Sequence, residues 1–107
     1  MQTIWRLRQP DGCPWDREQT HHSIGKNMIE EAYEALDCIE ADDATHLREE
    51  LGDVLMQVVL HAQIAADTGE FTLADVAHDI DAKLIRRHPH VFGDADAENS
   101  DEVALQI

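Results

Sequence analysis

Two pairs of carboxylates carry the clearest chemistry in this chain. Glu31 and Glu34 are three residues apart, and so are Glu50 and Asp53. Side chains at i and i+3 leave a helix from the same side on successive turns. Two antiparallel helices joined by a short turn would bring the pairs face to face. Four carboxylates at one spot repel one another unless a divalent cation lies between them. An all-oxygen donor set suits a hard ion, Mg²⁺ or Mn²⁺, ahead of zinc. The competing reading is a solvated acidic face, since acidic residues are plentiful here. Against it, Glu50 and Asp53 run directly into residues 54–66, an apolar stretch in which unpaired charge is costly to bury.

Positive charge is scarce and concentrated. Three of the eight Lys and Arg residues, Lys83, Arg86 and Arg87, fall within five positions. Lys83 and Arg87 are i and i+4 neighbours able to grip one anion, which suggests a phosphate clamp. The plainer alternative is a set of cations complementing a helix C-terminus. Trp15 reads either as a packing staple or as a platform for stacking a base, and Trp5, beside Ile4 and Leu7, as core. His21 and His22 read as surface residues and His61 as a hydrogen-bonded core residue. His88 and His90 lack the further ligands a zinc site needs.

Helices must position these groups. In residues 22–39 the apolar side chains Ile24, Met28, Ile29, Ala32, Ala35, Leu36 and Ile39 recur at helical spacing, with Glu31 at the edge of their half of the wheel. Residues 41–45 offer a turn and an N-cap for a second helix over 44–68. From 54 to 66 that helix is apolar on every side and must be enclosed, in so short a chain by a second subunit. Gly69 suits the residue that ends it. Thr72, with Asp75 three residues on, would cap a third helix over 73–88, with Val76, Ala77, Ile80 and Leu84 on its buried stripe and Pro89 ending it. Residues 9–16, with Pro10, Gly12 and Pro14, read as a rigid loop. Ser100 would cap a last helix over 101–107.

The expected fold is all-α: a helical hairpin completed into a four-helix-bundle-like core by dimerisation. The 107 residues read as one domain, 1–107. Eight basic against twenty-three acidic residues give a net charge of −15, which argues against polymeric nucleic acid and anionic membrane surfaces as partners. Cys13 and Cys38 are too few for a disulfide scaffold and point to reduced thiols in the cytoplasm.

Four stretches resemble the MazG family of nucleoside triphosphate pyrophosphohydrolases. They are Gly12-Cys13-Pro14-Trp15-Asp16; Glu30-Glu31-Ala32-Tyr33-Glu34; Glu49-Glu50-Leu51-Gly52-Asp53 running into Val58-Val59-Leu60-His61-Ala62-Gln63; and residues 83–93, which include Arg86-Arg87-His88-Pro89-His90-Val91-Phe92. The resemblance implies an all-α homodimer or homotetramer that hydrolyses a nucleoside triphosphate to the monophosphate and pyrophosphate with Mg²⁺. It implies Glu31, Glu34, Glu50 and Asp53 as metal ligands, with Glu30 beside them assisting the water or supporting the ligands. Lys83, Arg87 and Arg86 would hold the triphosphate. Family members often carry two such domains, and this length has room for one. The last helix in relatives usually continues further and the opening here is short, so the resemblance also suggests a domain trimmed at one or both ends. The alternative is a non-catalytic dimeric nucleotide-binding or oligomerisation domain of a larger protein.

Overall fold

The computed structural model describes residues 2–93. Among them are six helices and no strand, in agreement with an all-α fold: α1 (Gln2–Leu7), α2 (Pro14–Glu18), α3 (His21–Glu40), α4 (Ala44–Asp67), α5 (Leu73–Arg86) and α6 (Pro89–Phe92). The chain divides into two compact units, one ending at Thr72 and the other beginning at Leu73. The helix expected over 101–107 lies outside the described residues.

In the first unit α3 and α4 form an antiparallel hairpin. Thr20 starts α3 with a reciprocal cap: its hydroxyl accepts from the Ser23 N–H at 3.1 Å, and its own N–H donates to Ser23 Oγ at 2.8 Å. Gly25 lies inside α3. The helix ends in a tight reversal. Asp42 is left-handed at φ 54°, and the N–H groups of Asp42 and Asp43 return to the carbonyls of Ile39 and Cys38. Asp43 then caps α4, its carboxylate accepting from the His46 N–H at 3.1 Å. At its far end α4 stops as the sequence leads one to expect, with Gly69 at φ 76° and the Glu70 N–H donating to Ala65 O at 2.9 Å.

Arg8 ties the opening segment to the hairpin. Its guanidinium reaches the carbonyls of Asp16 and Gln19 and, at 2.8 Å, the Asp67 carboxylate at the end of α4. The segment read as loop throughout is helical from Pro14, because proline is pre-organised for a first helical position. Gly12 precedes it where a Cβ would lie 2.3 Å from Leu7 O, so only glycine lets the chain pass this close to the end of α1.

Burial corrects three expectations. On α1 the buried residue is Ile4, and Trp5 is exposed. On α4 the chain itself buries Gln57, Val59, Leu60, Ala62, Ile64 and Ala65, whereas Leu51, Leu55 and Met56 nearer its start are exposed. The all-round apolar segment is therefore largely enclosed without a second subunit. On α5 the stripe is not buried: Ile80 and Leu84 are each about half exposed. Among the described residues no helix is long and apolar enough to cross a membrane.

Candidate metal centre

The hairpin register brings the carboxylates together. Donor oxygens of Glu31, Glu50 and Asp53 all lie within 4.8 Å of one another, the first from α3 and the other two from α4. Glu31 and Glu50 are half-buried, and one oxygen of each (Oε2) is shielded from solvent without a hydrogen-bond partner. Desolvation, followed by the nearby carboxylates of Glu34 and Asp53, pushes the Glu31 carboxyl above its ordinary range. Glu50 is raised by desolvation and then by Glu34. Carboxylates crowded and stripped of water in this way favour either a proton or a cation.

Glu34 is exposed and outside the group of three, although close enough to raise both Glu31 and Glu50. Glu30 is exposed on the neighbouring position of α3. Cys38 reports the same crowding: burial and then Glu50 push its thiol up, which keeps it protonated. Orphaned carboxylate oxygens from two facing helices, without nitrogen or thiolate donors, fit a hard divalent cation.

The other sequence-selected residues fall elsewhere. Lys83, Arg86 and Arg87 are exposed together at the end of α5, in the second unit. Trp15 lies on α2 and is 56% exposed, which rules out a buried staple and leaves its indole face open. His21 is not a plain surface residue. It is half-buried and stacked on His61, with ring centroids 5.0 Å apart and the two Nδ1 atoms at 2.7 Å. Sequence reasoning also passed over Gln57, the one buried polar residue among the described residues, although a Gln at i+4 from Asp53 amid apolar neighbours was a readable signal.

An all-α hairpin presenting a Glu-x-x-Glu pair to a Glu-x-x-Asp pair defines a carboxylate-rich helical site of the kind that takes a divalent metal. The comparisons agree on its family. Residues 19–92 match the model of the MazG nucleotide pyrophosphohydrolase domain, and the chain belongs to that family. It is 56% identical over 90 residues to the nucleoside triphosphate pyrophosphohydrolase/pyrophosphatase MazG of Thermotoga maritima, covering 84% of this chain and 35% of that protein. It is 54% identical over 99 residues to the nucleoside triphosphate pyrophosphohydrolase of Escherichia coli K12, covering 92% and 38%. It is also 54% identical over 100 residues to the uncharacterized protein YabN of Bacillus subtilis, covering 94% and 20%. The chain thus spans between a fifth and two fifths of the length of these relatives.

Proposed function

We propose that this domain hydrolyses a nucleoside triphosphate to the monophosphate and pyrophosphate, water attacking the α-phosphorus in line. The observation that carries the reading is the convergence of Glu31, Glu50 and Asp53, with shielded, unpartnered oxygens on both glutamates. The Thermotoga maritima and Escherichia coli relatives, both named nucleoside triphosphate pyrophosphohydrolases, support it.

In this reading Glu31, Glu34, Glu50 and Asp53 hold the cation, Mg²⁺ with Mn²⁺ as a substitute. When bound, such an ion neutralises phosphate charge and lowers the pKa of a neighbouring water. The protein's own groups do the rest. Lys83, Arg86 and Arg87 bind the phosphate oxygens and stabilise the departing pyrophosphate. Trp15 offers its open face to the base. Glu30, next to the ligands and exposed to solvent, takes the proton of the attacking water or orients its neighbours. A cytoplasmic setting belongs to the same reading, since Cys13 and Cys38 are both free thiols.

A homodimer completes the bundle. Met28, Ile29, Tyr33, Leu36 and Ile39 on α3 and Leu51 and Leu55 on α4 are exposed, and Met28, Ile29, Ala32, Tyr33 and Leu36 line a shallow hollow of about 350 Å³. Burying such a face against its own copy is the usual route to stability for a small helical domain.

The test is pyrophosphate release across a panel of ordinary and modified nucleoside triphosphates, with and without Mg²⁺. Glu50→Gln and Asp53→Asn should each lower turnover by about 100-fold or more while leaving helical content unchanged. Full turnover in both variants would contradict the site assignment. Mg²⁺-dependent nucleotide binding without pyrophosphate release from any triphosphate would make the domain a binding module instead.

A further inference from the structure

Among the described residues, four buried side-chain polar atoms lack a hydrogen-bond partner: Glu31 Oε2, Glu50 Oε2, Gln57 Oε1 and His61 Nε2. Glu31, Glu50 and His61 belong to the seam between α3 and α4, and Gln57 lies on the same face of α4 as Glu50 and His61. At one end Glu31 faces Glu50 and Asp53 across it, and at the other His61 meets His21. Gln57 lies between these ends, only 3% exposed. Stability alone does not account for it. A buried amide oxygen without a partner is costly, and an apolar side chain of similar volume would pack there without that cost.

Position supplies the function. Gln57 follows Asp53 by four residues and Glu50 by seven, so at 100° per residue it projects within about 20° of Glu50 around α4. Its neighbours on that face, Glu50 and His61, both meet α3 side chains, so Gln57 faces the same seam. Long helical side chains lean toward the N-terminus of their helix, which directs this amide back toward the turn carrying Asp53 and Glu50.

We propose that Gln57 is a positioning residue for the carboxylate centre. Its Oε1 is an acceptor one turn along α4 from Asp53, placed to accept from a water that would donate its other proton to the carboxylate cluster. Glu31, Glu50 and Asp53 would hold the cation, and the lone pairs of such a water would remain available to it. Partners of this kind, one step removed from the ligands, tune metal affinity. The inference rests on the cation reading above.

The experiment measures Mn²⁺ binding by electron paramagnetic resonance and the water-proton relaxation of the bound ion, without nucleotide, for the wild type, Glu50→Gln, Gln57→Met and Gln57→Glu. The wild type should bind and Glu50→Gln should not. Gln57→Met, which removes the acceptor at similar volume, should bind about 10-fold or more weakly with altered relaxation, while its metal-free thermal midpoint holds or rises. Gln57→Glu, which keeps an acceptor oxygen, should recover binding. Wild-type affinity and relaxation in Gln57→Met overturn the inference about Gln57 alone, provided Glu50→Gln has lost the ion. Loss of binding in both Gln57 variants marks a packing role and also overturns it. A wild type that binds no Mn²⁺, or a Glu50→Gln that binds as tightly, overturns the metal centre and this inference with it.

Discussion

The contact between His21 and His61 fastens the start of α3 to α4 through two rings that lie parallel, with their Nδ1 atoms 2.7 Å apart. At that distance one nitrogen carries the hydrogen and the other accepts it. Protonating both rings would set two positive charges against each other, and a proton on the accepting Nδ1 would set donor against donor. Burial, and secondarily His21, accordingly lowers the His61 pKa from its ordinary 6.5. A pKa lowered by folding contributes stability that is fully present above the unfolded value and is lost as pH falls through the folded one. The urea midpoint of the wild type should therefore drop as pH is taken from about 7 to about 5, and His61→Gln should flatten that part of the curve. Parallel curves for the two proteins would contradict this account. The pair also marks a limit of sequence reading. The carboxylate pairs were legible because their spacing of three is a property of each helix by itself. His21 and His61 are forty residues apart, and their meeting depends on the register of the whole hairpin.

That register is set at the turn between α3 and α4, where Asp42 occupies the left-handed conformation at φ 54° that glycine adopts most easily. The return hydrogen bonds from Asp42 and Asp43 to Ile39 and Cys38 keep the chain there. Asp42→Gly should stabilise the domain by roughly 0.5–1 kcal/mol, the relief of the left-handed penalty exceeding the added freedom of the unfolded chain. Asp42→Ala should move it the other way. Thermal midpoints of the two variants against the wild type give the sign, and two shifts in the same direction would tell against the strain argument. At this scale the long helices were readable from sequence because periodicity and caps agreed: Asp43 before α4 and Gly69 after it both do what their residue types suggest. The short helices α2 and α6 were not. Each begins at a proline, Pro14 and Pro89, and proline between longer elements reads as a break even where it opens a turn of helix.

Across the molecule, charge and apolar surface are sorted onto different sides of the hairpin. The acids that converge at the centre leave α3 on one side of its contact line with α4, and Met28, Ala32, Leu36 and Tyr33 leave it on the other. On α4, Leu51 and Leu55 are rotated from Glu50 in the sense that, for an antiparallel pair, puts them on the same face as those α3 residues. A face with Leu36 at 42% and Leu55 at 51% exposure, on a chain of net charge −15, calls for a covering that excludes water without adding acid. A second hairpin laid face to face meets that requirement, with apolar stripes inward and acidic surfaces outward. Sedimentation equilibrium should then return about twice the 12.1 kDa chain mass. Leu36→Lys and Leu55→Lys, each burying an unpaired charge in the joined face, should return the chain mass itself and lower the thermal midpoint. If the wild type already sediments as a single chain, the apolar face is not a dimer interface. If instead it is a dimer that both lysine variants leave intact, the contact lies on another surface.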